Sequence, residues 1–129
     1  MVGIIDFNGV ESLVLSPNGL QTNSFVPTAN TAYKKGDLLA VGVDGVLTHS
    51  DIATGGQADW HVVCLQDVTA EQSTKHATDG VGIPTYTHAE INLDAVTING
   101  TALTDAQKLL ARAHSVRGTS ITLRKPFKI

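Results

Sequence analysis

Charge is scarce in this chain of 129 residues: Asp, Glu, Lys and Arg make up 16 %, against about 25 % in typical soluble domains. Thr, Ser, Asn and Gly fill the polar positions instead. A surface so poor in charge keeps copies apart badly, which hints at one that ends up covered by other protein. Cysteine is nearly absent. The single Cys64 excludes an internal disulfide and a Cys-rich zinc site, and its apolar setting reads as a small buried hydrophobe rather than a reactive thiol. Long hydrophobic runs are missing too: Val62 to Leu65 falls far short of the roughly 18 residues of a membrane span. The start, Met1 to Asp6, has no basic stretch, apolar core or cleavage site of a secretory signal, so a cytosolic origin is expected. What is present is 42 % hydrophobic residues in a length that suits one domain with one core.

The net charge of -3 hides an uneven distribution. All twelve acids lie at or before Asp105, whereas Lys108, Arg112, Arg117, Arg124, Lys125 and Lys128 give the last 24 residues six bases and no acid. A basic tail can bind nucleic acid. This one carries no interleaved aromatic apart from Phe127, and the pI of about 5.9 argues against a dedicated DNA binder, so no direct nucleic-acid partner is expected.

Asn-Gly or Asp-Gly pairs recur at Asn8-Gly9, Asn18-Gly19, Asp44-Gly45, Asp79-Gly80 and Asn99-Gly100, each able to supply the positive φ of a tight turn. The clearest hairpin has Leu38 to Val43 and Val46 to Thr48 flanking Asp44-Gly45 as a two-residue turn. Trp60 to Val68, Val81 to Thr87, Glu90 to Leu93 and Thr119 to Leu123 also read as strands, rich in Val, Ile, Leu and Thr. Ala53 to Ala58 and Thr69 to Asp79 read as loops. Thr104-Asp105-Ala106-Gln107 has the form of a capping box, followed by Ala106, Leu109, Leu110 and Ala113 at helical spacing. The expectation is one helix of about ten residues, packed on a sheet by that face, with Arg112 and His114 suited to its C-terminal dipole.

Residues 1 to 32 differ in kind. They hold no base, only Asp6 and Glu11 as acids, and the apolar residues Val2, Ile4, Ile5, Phe7, Val10, Leu13, Val14 and Leu15, followed by a polar stretch from Gln21 to Thr31 that reads as linker or arm. Such a segment is either an ordinary core strand or an arm that adds a strand to another protein's open sheet edge.

Motifs of catalysis are missing. None of His49, His61, His76, His88 and His114 has a second ligand at i, i+4, so no metal is expected. His88-Ala89-Glu90 has the His-x-Glu form of zinc deaminases, without the Pro-Cys-x-x-Cys that supplies their other ligands. No phosphate-cradling glycine loop, dinucleotide fingerprint or nucleophile elbow occurs. Asn99-Gly100-Thr101, formally a glycosylation sequon, is more simply a turn. The expectation is a protein that is not an enzyme, with no catalytic residues and no cofactor.

From Tyr33 onward the chain resembles the lambda-type head decoration proteins of tailed bacteriophages. The likeness rests on Tyr33-Lys34-Lys35-Gly36-Asp37-Leu38-Leu39, Asp44-Gly45-Val46-Leu47, Val62 to Ala70, and above all Tyr86-Thr87-His88-Ala89-Glu90-Ile91-Asn92-Leu93-Asp94-Ala95; Arg117 to Leu123 looks like that family's Gly-Thr-containing final strand. Two positions depart from the pattern: Ala89 stands where many relatives have Gly, and the tail past Leu123 is longer and more basic. The resemblance implies a mainly β (α+β) fold: a small barrel or tulip-like domain of short strands and hairpins with one short helix near the C-terminus, over residues 33 to 129, preceded by an extended arm over residues 1 to 32. It also implies a capsid-cementing function, with homotrimers on the outer surface of the expanded head at threefold and quasi-threefold positions, made in the host cytoplasm. The arm, through Val2, Ile4, Ile5, Phe7, Val10, Leu13 and Leu15, would pair with the major capsid protein; no membrane partner is implied. The alternatives are another virion module, in a tail or fibre, that contacts host glycans, and a small ligand-binding barrel.

Overall fold

A computed structural model describes residues 13–50 and 60–125. Val2, Ile4, Ile5, Phe7, Val10, the Asn8-Gly9 turn, the Ala53 to Ala58 loop and Phe127 with Lys128 lie outside the described residues. The fold is mainly β with two helices: β1 (Val14–Pro27), β2 (Leu38–Val41), β3 (Val46–His49), β4 (Val62–Cys64), α1 (Ala70–Asp79), β5 (Ile83–Asn92), β6 (Thr97–Ile98), β7 (Thr101–Ala102), α2 (Asp105–Gly118) and β8 (Ser120–Arg124). Six strands form one sheet in the order β1-β3-β2-β4-β5-β8. Strand β1 pairs antiparallel with β5 over most of its length and parallel with β3 through Val26 and Pro27, so the ladder returns on itself. Strand β8 pairs in parallel with β5 outside that ring, and the result is not a clean barrel.

Alternation along the strands feeds two apolar clusters. Leu38, Val63, Ile91, Ile121 and Leu123 join Trp60 and Ala111 in one, while Leu39, Leu47, Val62, Cys64 and Ile83 join Tyr33 and Val68 in the other. Strand β5 serves both by changing phase. Gln21 pairs with His88 and Thr22 with Tyr86, so one step on β1 spans two on β5, and Thr87 is a bulge. Tyr86 before it and Ala89 and Ile91 after it therefore face the same cluster, although strict alternation would part them. The same bulge explains why β5 reads in the sequence as two strands, Val81 to Thr87 and Glu90 to Leu93.

Several expectations change. Residues Gln21 to Pro27 are strand, held against β5, and not linker. Leu13 is buried in the first cluster, so residue 32 marks no break in the fold. Asn18-Gly19 lies in an outward bulge of β1, because five steps from Ser16 to Gln21 oppose two from Glu90 to His88. The β2–β3 hairpin closes with a three-residue loop, not two: Val41 pairs with Leu47, Gly42 N–H donates to Val46 O at 3.0 Å, and Gly45 takes φ +81°. The strand expected over Trp60 to Val68 contracts to Val62–Cys64. The Asn99-Gly100 turn has positive φ at both residues and joins β6 to β7.

The stretch expected as loop over Thr69 to Asp79 is helix α1 from Ala70, with Thr69 as its N-cap. Thr69 and Gln72 form a full capping box, and Gly80 at φ +68° ends α1 in a Schellman motif, its N–H on Ala77 O and that of Val81 on His76 O. The expected capping box of Thr104 and Gln107 starts α2, which runs 14 residues. Its buried face differs from the expected one: Leu110, Ala111 and Ser115 face inward, whereas Ala106, Leu109 and Ala113 are exposed.

Candidate functional site

The C-terminal end of β5 gathers both ends of the described chain. Asn92 N–H donates to Leu13 O at 2.8 Å, Asn92 pairs with Arg124 in the β5–β8 ladder, and Leu93 N–H donates to Arg124 O at 3.0 Å. The Asn92 side chain is fully buried and its Oδ1 accepts from Asp94 N–H at 2.9 Å, turning the chain sharply there. Leu13 and Arg124, near the two ends of the described chain, thus lie at one end of the fold, on either side of β5.

Charge is arranged around that end in pairs. Arg124 places both Nε and Nη2 on Glu90 Oε1, at 3.0 and 2.7 Å. Lys108 Nζ lies 2.9 Å from Asp94 Oδ1, and Lys125 Nζ lies 3.9 Å from the same atom. Arg112 has no carboxylate partner among the described residues. It stands on the exposed face of α2 between Leu109 and Val116, which are 73 % and 84 % exposed, at the rim of two shallow grooves. One, about 290 Å³, lies toward Leu93 and Lys125; the other, about 490 Å³, lies between α2 and β8.

No family model and no curated protein matches the chain. The site is therefore read from its geometry. Of the expected arm residues, Leu13 is core and Leu15 is half-buried on β1; the remaining five precede the described residues.

Several titratable groups inside the fold bond to its backbone and side chains. Asp37 is fully buried: Oδ1 accepts from Thr97 Oγ1 and Gly100 N–H, and Oδ2 accepts from Lys34 N–H at 2.8 Å. His49 stacks on Tyr33, donates from Nε2 to Ala32 O at 2.8 Å, and brings Nδ1 to 3.7 Å from Asp37. His61 Nδ1 accepts from Val41 N–H, and the His114 ring lies between those of Trp60 and His61. No cluster of three metal-ligating side chains occurs among the described residues. Burial pushes the Cys64 thiol up to about 11, and its Sγ donates to Gln66 O. Burial likewise raises the Tyr33 phenol, which donates to Leu47 O and accepts from Thr28 N–H. Among the described residues no helix is long and apolar enough to cross a membrane.

Reading the sequence alone misses Asp37 as a hub, because its three donors lie up to 63 positions away. It also misses the outward Leu109–Arg112–Val116 stripe, since Leu109 and Leu110 are equally apolar and only packing decides which one turns in.

Proposed function

We propose that this protein is a capsid-cementing protein of a tailed bacteriophage. In this reading homotrimers sit on the outer surface of the expanded head at threefold and quasi-threefold positions and hold the shell against internal DNA pressure. The residue pattern from Tyr33 to Leu123 suggests it. The observation that carries it is the anchored root at Leu13. Leu13, the first described residue, is buried in the core and accepts from Asn92 N–H at the end of β5, and the residues that precede it in sequence, 1–12, are uncharged but for Asp6 and Glu11. In this reading Val2, Ile4, Ile5, Phe7 and Val10 would contact the major capsid protein.

Magnitudes say what such an arm needs. Ordering backbone costs roughly 1–2 kcal/mol per residue, and each strand-pairing hydrogen bond returns about 0.5–1.5 kcal/mol net. Hydrogen bonds alone leave the arm weak. Full burial of an Ile or Phe side chain adds about 1.5–3 kcal/mol, and three arms on one trimer turn later contacts into intramolecular ones. A protein that binds the assembled lattice and not separated subunits shifts the equilibrium toward the lattice.

The test is to mix the purified protein with expanded heads that lack a decoration protein. Saturable density at threefold positions and greater resistance to heat or chelator are expected; absence of binding to any expanded head rejects the reading. Deleting residues 1–12 is expected to leave the far-ultraviolet circular dichroism and thermal midpoint of the domain intact while weakening attachment. The cut must spare Leu13, which belongs to the core.

A further inference from the structure

We propose that the outer edge of β8, with the facing side of α2, is a docking groove for an extended acidic segment of another protein. Strand β8 ends the sheet: it pairs with β5 on one side, and no strand covers its other side among the described residues. The backbone along that free side is part closed and part open. Ile121 N–H donates to Thr119 Oγ1 at 3.0 Å, and Ile121 O accepts from Thr119 Oγ1 at 3.1 Å and from the Ser115 hydroxyl. Arg124 O accepts from Leu93 on the opposite, β5 side. Since the groups of successive residues in a strand alternate between its two edges, the N–H and C=O of Leu123 face outward with those of Ile121, into the groove. An outward donor and acceptor pair on a sheet edge is a template for a further strand.

The groove's lining sets the chemistry of its occupant. It is about 490 Å³ and is lined by Arg112 and by Arg124, the latter already bonded to Glu90, and by no carboxylate among the described residues. Arg112 has no carboxylate partner among the described residues, so its guanidinium is presented to an incoming acid. Val116, 84 % exposed on the helix rim, offers an apolar seat beside it. An extended peptide whose side chains alternate acidic and apolar meets all three features: backbone to Leu123, carboxylate to Arg112, and an apolar residue over Val116. A single-stranded nucleic acid would meet the charge alone, because among the described residues no aromatic side chain lines the groove for bases to stack on. The inference does not depend on the capsid reading, since any partner with such a segment would serve.

The experiment uses the full isotope-labelled chain and, as probe, a fluorescent peptide of about six residues alternating Glu and Val, the length of an ordinary strand. Saturable binding at low salt is expected, with the Leu123 amide shifting and its hydrogen exchange slowing on addition of peptide. Arg112→Glu and Val116→Glu, both at exposed positions, are each expected to weaken binding by about tenfold or more without altering the circular dichroism. A peptide with N-methyl groups on alternate residues is expected not to bind. Four results overturn the proposal: no binding; equal binding of the matching Lys–Val peptide; an oligothymidylate that shifts the same amides while the peptide does not; or a Leu123 amide already protected in the peptide-free protein, which would mean the chain's own residues cover the edge.

Discussion

Asp37 and Cys64 sit within one strand pair of each other and show how burial assigns a role to a side chain that sequence leaves open. Asp37 stabilises by accepting from Lys34, Gly100 and Thr97 at once, which ties the β2 entry to the β6–β7 hairpin. Asp37→Ala leaves three donors without an acceptor, and each orphaned group costs about 1–3 kcal/mol. A loss of about 3–5 kcal/mol in urea unfolding is expected; a loss under about 1 kcal/mol would mean that water replaces the carboxylate freely. For Cys64, the sequence reading as a small buried hydrophobe holds, and its physical consequence is a pH dependence. Its thiol is raised from 9.0 to about 11, so the folded state keeps a proton that the unfolded state releases from pH 9 upward. Stability contributed by this group is therefore whole below pH 9 and lost as pH rises toward 11, by about 2–3 kcal/mol in all. Tyr33, also raised by burial, acts in the same direction at higher pH, so the clean measurement is the difference between the native protein and Cys64→Ser, followed from pH 8 to pH 10. The difference should shrink as pH rises; a constant difference would refute the assignment.

At the scale of elements, what was legible and what was not divides along packing. The capping box at Thr104 and the Asn99-Gly100 turn are local devices, settled by side chains within a few residues, and sequence reads them correctly. The equivalent capping box at Thr69 and Gln72 is equally present, but its segment reads as loop, because α1 buries only Ser73 and lacks an apolar stripe. In α2 the apolar residues are spread around the helix, and the pattern alone selects Leu109 and Ala113 as the inner face. The sheet selects Ala111 instead, because Trp60 packs there and its indole N–H donates to Ala111 O at 3.2 Å. The two readings predict opposite mutants. In the observed packing Leu109→Ala changes stability by less than about 0.5 kcal/mol, whereas Ala111→Leu overfills the site and costs about 1–3 kcal/mol. Thermal midpoints of the two variants decide the matter, and a larger loss at Leu109 would return the helix to the expected face.

For the whole molecule, the telling feature is that two apolar clusters share their supporting strands. Leu38 and Leu39 are consecutive on β2 and enter different clusters, as do Val62 and Val63 on β4, and β5 carries Ile83 in one and Ile91 in the other. Neither cluster can lose its strands while the other keeps them, so no subset of the sheet is an independent folding unit. The ladder's return through β1 strengthens the coupling, since β1 bonds to both β5 and β3. Each cluster contains its own reporter: Trp60, the sole tryptophan, lies in the first, and Cys64, the sole thiol, lies in the second. In a urea titration, Trp60 fluorescence and the labelling of Cys64 by a thiol reagent are expected to change with one midpoint and one slope, as a two-state transition requires. Tryptophan emission that shifts while the thiol stays protected would show the α2 side opening alone, and the shared-strand account of the fold would then fail. A single transition would also mean that a contact made at the C-terminal part of β5, whether beside Leu13 or along β8, stabilises the entire domain, because ligand binding to the folded state draws on the full unfolding equilibrium.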